Sequence, residues 1–258
     1  MALAVSQAAV SQIAVAVGLV LAAIALSAAT RMGLERELGI VALRSIVQLT
    51  AVGLLVTLVF KHIGLAAAFI VVMLGAASVT SARRVRGVRR PVLVSAVAIG
   101  APALTALGLL LAAGAFPATP RGIIPVAGIL IGGAMAAVSL AGRRLLEELQ
   151  DRIDEIEARL ALGAPARTAL FPAVRRAVGT ALVPVMDQTR NVGLVTLPGT
   201  FVGLVLGGAS PGEAARVQLT VLLSLLAVEL AAALLLARLV TAAAVAPGER
   251  VIAPRAPG

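Results

Sequence analysis

The sequence predicts an all-α fold: a polytopic membrane helix bundle of seven transmembrane helices, with the N-terminus outside and the C-terminus cytoplasmic. Three observations carry that expectation. The 258 residues are 60% hydrophobic and only 13% charged, whereas soluble domains run near half apolar and about a quarter charged. Mean hydropathy is +1.05, more apolar surface than a soluble fold of this length can hide. The basic residues, finally, fall between long apolar runs and not along them.

Seven runs reach the roughly 20 residues that a helix, rising about 1.5 Å per residue, needs to cross a hydrocarbon core about 30 Å thick. In order they are 8–29, 38–60, 64–82, 91–115, 123–142, 179–206 and 214–240. The start of the chain has no basic stretch before its first apolar run, so that run reads as a retained span and not a cleaved signal. With the N-terminus outside, the cytoplasmic segments are 31–37, 83–90, 142–178 and the tail from 238. They hold 17 of the 22 Lys and Arg residues, against Lys61, Arg121 and Arg216 outside. That asymmetry fixes the expected orientation. It divides the chain into a membrane domain over 1–241, a cytoplasmic insert within it at about 143–178, and a short cytoplasmic tail over 242–258. The densest basic run, Arg83-Arg84-Val85-Arg86-Gly87-Val88-Arg89-Arg90, reads as a topology anchor against anionic lipid, with a specific ligand site as the alternative. Gly199, Gly203 and Gly207 recur at four-residue steps, as do Gly128 and Gly132. Such spacing lets helix backbones approach closely.

The same composition excludes several kinds of chemistry. With no Cys there is no disulfide framework, thiolate metal site or redox motif. A net charge of +10 would point to nucleic acid in a soluble protein. Here the chain has no Trp, no Tyr and five Phe, so the stacking platform of such proteins is missing. The expected surroundings are a lipid bilayer, with no nucleic-acid partner. The one Lys, Lys61, is followed by His62 beside an apolar run. A phosphate-binding loop needs a Lys that reaches the β- and γ-phosphates after a glycine-rich turn, so this chain cannot hydrolyse ATP itself. One His supports no nucleophilic triad. His62 reads as an interface residue at the outer membrane edge, or as an ion contact.

The insert is the informative segment. Leu145, Leu149, Ile153, Ile156 and Leu160 step by 4, 4, 3 and 4 residues, a single helical stripe. Charged residues fill the other face, and Glu148–Arg152 and Glu155–Arg159 are favourable i,i+4 pairs. The fifth span is therefore expected to continue as a helix to Gly163, a natural C′ residue. Pro165 suits the first turn of a second short helix, over about 166–178. Two helices joined by Gly163-Ala164-Pro165 would leave the membrane on its basic side. They read either as a solvated hairpin or as a docking element for a cytosolic protein.

Ionisable groups within spans cost roughly 2.5–3.5 kcal/mol on insertion scales, so each is a site hypothesis. Arg44 and Gln48 share a face of the second span. Asp187, Arg190 and Asn191 cluster near Pro184, and Glu229 lies mid-way along the seventh span without a local partner. Asp187 reads as pairing with Arg190 or Arg44; Glu229 reads as part of a translocation path or as a hydrogen bond inside the bundle. Carboxylate and amide oxygens suit a hard or borderline cation. Gly193, Pro198 and Gly199 interrupt the sixth span, marking either a broken helix at a transport site or an ordinary proline kink.

The stretch Glu157-Ala158-Arg159-Leu160-Ala161-Leu162-Gly163 resembles the Glu-Ala-Ala loop of ABC permeases, with Arg159 departing from the pattern. Ile124-Pro125-Val126-Ala127-Gly128, Leu160–Ala164 and Val192–Gly199 extend the likeness to the bacterial iron-export ABC permease family, which includes plant aluminium-tolerance membrane proteins. The resemblance covers most of the chain from the second span to the seventh. It implies a permease in the cell (inner) membrane, itself no enzyme. ATP and magnesium would be held by a separate cytosolic ATPase gripping Glu157, Ala158, Gly163, Ala164, Pro165 and Arg167. It implies a permease homodimer, iron efflux as the activity in bacterial members, and UDP-glucose among plant relatives. The rival readings are an ion-coupled secondary carrier using Asp187 and Glu229, an ABC permease for a nucleotide sugar, and a non-transporting scaffold.

Overall fold

A computed structural model of the chain describes residues 2–85 and 88–244, and these are almost entirely helical. Arg86 of the basic run and the tail from 245 lie outside the described residues. The helices are α1 (Ala2–Ala29), α2 (Glu35–Val59), α3 (Ile63–Ala82), α4 (Pro91–Ala112), α5 (Pro120–Asp151), α6 (Ile153–Ala161), α7 (Ala166–Asn191), α8 (Gly199–Leu206) and α9 (Pro211–Ala244). Seven of them, all but α6 and α8, are long and apolar enough to cross a membrane.

The chain forms two compact units, Met1–Lys61 and His62–Gly258. The first is the α1–α2 hairpin. Its turn is tied by Ser27, whose hydroxyl donates to Glu35 Oε1 at 2.9 Å and accepts from the Leu34 amide at 3.1 Å. The carboxylate thereby sits at a helix N-terminus, where negative charge is favoured.

In the second unit α5 is the central helix, packed on α3, α4, α7 and α9. Small residues on its buried stripe, Ala127, Ala134, Ala137 and Ala141, admit that many neighbours. Ser139 donates to Ser81 at 3.2 Å, joining α5 to α3. The outward faces of the spans are the reverse: Val71, Val72, Leu109 and Leu223 are more than half exposed. An apolar surface of this kind is stable when its solvent is lipid.

Two boundaries differ from those expected. The helix from the fifth span does not run unbroken to Leu160. It is interrupted at Arg152, where φ −123° and ψ 25° leave the helical region, and α6 restarts with Ile156 buried beside Ala169 and Ala173 of α7. The sixth span is not 179–206. Nothing between Ala177 and Gly179 stops a helix, so α7 runs from Ala166 through the basic stretch and the apolar stretch alike, ending at Asn191. Pro172 and Pro184 lie inside it without ending it.

Candidate functional site: a capped hairpin and two buried carboxylates

The segment from α5 to α7 is a hairpin whose apolar stripe faces inward. Leu145, Leu149 and Ile156 are buried, and Leu160 packs against the same core. Its tip is closed by a two-bond cap. The Gly163 amide donates to the Leu160 carbonyl at 2.9 Å and the Ala164 amide to the Arg159 carbonyl at 3.0 Å. This is the Schellman arrangement, which needs a left-handed residue at C′, and Gly163 has φ +85°. Pro165 follows in extended geometry and starts α7, its carbonyl accepting from the Thr168 and Ala169 amides.

Glu157, Ala158, Gly163, Pro165 and Arg167 are all exposed around this tip, and Ala164 is half-buried. Glu157 has no ion pair among the described residues. Leu162 is 89% exposed, an apolar side chain presented at the apex that the charge pattern did not single out. Arg167 lines a groove of about 670 Å³ between the start of α7 and the end of α9, with Phe171, Leu234 and Arg238.

At the root of the hairpin stands Glu148, 4% exposed. Its carboxylate accepts from three guanidinium groups: Arg144 at 3.0 Å, Arg152 at 3.3 Å, and Arg176 of α7 at 2.6 Å. Both expected i,i+4 pairs form, since Arg159 also meets Glu155 at 2.7 Å. Arg152 reaches Glu155 as well, at 3.1 Å, so the ladder continues across the break between α5 and α6. Those two contacts, with Arg152 the stronger, hold the Glu155 carboxyl below its usual range. Spacing reveals partners three or four residues away; Arg176, 28 residues on, had no such signal.

The polar residues of the spans are dispersed. Arg44 and Gln48 lie one turn apart on an exposed face of α2 in the first unit. Asp187 and Arg190 pair with each other at 3.4 Å on an exposed face of α7. After Asn191 the chain turns sharply. The Asn191 carbonyl accepts from the Val195 amide at 3.0 Å, Gly193 adopts φ +80° and its amide reaches the Thr196 carbonyl. Pro198 precedes α8, which Gly199 opens. Leu194, Val195 and Leu197 project from this turn, 90%, 78% and 60% exposed.

Glu229 is different. It sits within α9, 8% exposed, with no hydrogen bond or ion pair among the described residues. Gly133 of α5 makes the space for it. A Cβ there would lie 2.8 Å from Glu229 Oε1 and 2.5 Å from Leu225 Cδ2. Among the described residues no three His, Asp or Glu side chains converge as a metal-holding group.

Seven helices long and apolar enough to cross a membrane, with an ion-paired hairpin between the fifth and sixth, define a multi-pass α-helical membrane protein. The chain belongs to UPF0014, described as an uncharacterised protein family, whose family model matches residues 10–244. It is 39% identical to "UPF0014 membrane protein STAR2" of Oryza sativa subsp. japonica, over 80% of this chain and 73% of the relative. It is 35% identical to "Protein ALUMINUM SENSITIVE 3" of Arabidopsis thaliana, over 81% and 77%. To "Probable iron export permease protein FetB" of Escherichia coli (strain K12) it is 30% identical, over 83% of each. No solved structure matches. The family read from Glu157–Gly163 and the flanking motifs is thus the family to which the chain belongs.

Proposed function

We propose that this chain is the permease subunit of an ABC transporter, oriented N-out and C-in, that pairs with a second copy of itself and with a separate cytosolic ATPase to export a metal ion. The observation that carries the reading is the hairpin tip. A glycine-capped turn presents an unpaired Glu157 and a bare Leu162 between α6 and α7; α7 runs directly into a membrane span, and α6 is tied to α5 across the break by Arg152, which meets both Glu148 and Glu155. A partner that moves the tip moves α7 along its axis, because α7 is continuous from the tip into its span. The Glu148–Arg176 contact makes α5 and α7 respond together. Closure of the ATPase on ATP and magnesium would then switch the bundle between its inward-open and outward-open arrangements. Glu229, with its unpaired carboxylate inside the bundle, is the residue this chain offers to a cation in transit. Iron is the leading cargo because a relative covering 83% of this chain bears the name of an iron export permease.

The test is reconstitution. The chain, purified with a candidate ABC ATPase and placed in liposomes, supports ATP hydrolysis that is faster with ferrous iron present. Glu157→Lys reverses the charge at the tip, and Gly163→Pro demands a φ near −65° where the cap needs +85°. Both variants lose ATPase capture and metal-stimulated hydrolysis while remaining folded. Unchanged capture in both, or transport by the chain alone, overturns the proposal.

A further inference from the structure

A second groove, of about 620 Å³, lies between α5 and α7 and is made of two zones. One end is charged: Arg144, Arg175 and Arg176 face it, with Glu148 as the single carboxylate. Arg144 and Arg176 already meet Glu148. Arg175 is exposed and has no hydrogen-bond or ion-pair partner among the described residues. The rim therefore keeps a surplus of positive charge, with one guanidinium free to bind. Beyond the arginines the groove continues along α7 through Gly179 and Thr180 to Val183, where it is largely apolar. A Cβ added at Gly179 would meet no atom within 4 Å, so the trough there is open.

The position of the two zones along the chain identifies the occupant. Arg143 and Arg144 follow the apolar stretch of α5, and Arg175 and Arg176 precede that of α7. The charged rim thus marks the level at which both helices enter lipid, and the trough descends from it into the span. We propose that this groove binds one anionic phospholipid, its phosphate held by Arg175 with Arg144 and Arg176 beside it, and an acyl chain lying along Gly179 and Val183. A phosphate suits a planar guanidinium fork, and basic pockets between membrane helices take acidic headgroups. An acidic protein segment would satisfy the rim alone and leave the trough unfilled, so lipid fits the whole groove better. The site stands independently of the transport reading.

Native mass spectrometry of the delipidated full-length chain tests this. It is titrated with phosphatidylglycerol and with phosphatidylcholine of the same acyl chains, and gel filtration verifies the fold of each variant. The wild-type chain retains phosphatidylglycerol preferentially. Arg175→Gln touches no protein partner and weakens phosphatidylglycerol binding about five-fold, the share of one arginine near the headgroup plane, and weakens phosphatidylcholine less, since its choline offsets the phosphate charge. Gly179→Leu fills the trough and weakens both lipids. If neither variant alters lipid binding, the site does not exist. If Arg175→Gln instead abolishes capture of the ATPase while lipid binding is untouched, the groove belongs to a protein partner and the lipid assignment is wrong.

Discussion

Glu148 and Glu229 are both carboxylates withdrawn from solvent, at 4% and 8% exposure, and their surroundings are opposite. Glu148 is surrounded by three arginines, one of them from the neighbouring helix. Glu229 has no ion pair or hydrogen bond among the described residues and lies against a glycine that yields it space. A buried charge with matched partners is an anchor: it fixes where two elements meet, and losing either partner strands the other. A buried polar group without partners is held at a cost of about 1–3 kcal/mol, and such a cost persists where the group serves something other than stability. The first carboxylate holds the hairpin to the bundle. The second is the one that the proposed export mechanism offers to a cation.

The largest effect that would break this contrast is expected at Glu148. Glu148→Ala removes the common acceptor of Arg144, Arg152 and Arg176. These guanidinium groups are 38–45% exposed and partly rehydrate, so the loss falls near the lower limit for a broken buried pair, about 3 kcal/mol. Thermal unfolding of the purified protein in detergent reads it as a lowered Tm. Arg176→Ala, which leaves two partners, costs less. If the two variants unfold alike and at the wild-type temperature, Glu148 is no anchor.

Next comes the space around Glu229. Gly133→Ala places a methyl group 2.5 Å from Leu225 Cδ2 and 2.8 Å from Glu229 Oε1, an overpacking that costs about 1–3 kcal/mol. Part of that clash is with the carboxylate, so Gly133→Ala in a Glu229→Ala background is less harmful than alone. A double-mutant cycle on unfolding free energy measures the difference. Strict additivity would mean that the glycine and the carboxylate are not a matched pair.

Glu229→Gln sharpens the comparison by separating stability from function. The amide has nearly the same shape and no charge, and no cation is left behind. Stability shifts by no more than about 1 kcal/mol, while metal-stimulated ATP hydrolysis in the reconstituted complex is lost. A Glu229→Gln variant that retains full stimulation removes this residue from the transport path and leaves it a packing group.

How much of this was legible in the sequence depends on the range over which each interaction acts. The spans were legible because an apolar run of about 20 residues needs no tertiary information. The tip was legible too, since Gly163-Ala164-Pro165 combines a left-handed cap with a residue that starts a helix. Hydropathy misplaced the sixth span because it detects where lipid begins, whereas α7 begins in water-compatible sequence at Ala166 and crosses that boundary unbroken. The break at Arg152 lies among good helix formers, and no local residue announces it. The Arg176–Glu148 contact and the Gly133–Glu229 fit join residues 28 and 96 positions apart; the small-residue steps flagged Gly128 and Gly132 instead, one position away from the glycine that matters. Leu162 was visible but unremarkable, because only the fold shows that nothing covers it.

The smallest expected effect concerns the ion ladder beyond the break. Glu155 accepts from Arg152 and Arg159 on the surface of α6, and their charges hold its carboxyl below the ordinary value of 4.5. A group whose folded value is depressed adds stability above its unfolded value, and loses it as pH falls through the folded one. The α6 segment is therefore steadied above about pH 4.5 and loosens below it, and the effect shrinks in high salt, where screening falls to about 3 Å at 1 M. Amide hydrogen exchange across 153–161, corrected for its intrinsic pH dependence, resolves this local loosening from global unfolding. Glu155→Gln flattens the acid response of α6 while leaving the Glu148 anchor intact. An identical acid profile in wild-type and variant would assign the steadiness of α6 to Ile156 and Leu160 packed on α7, and to none of its surface charges.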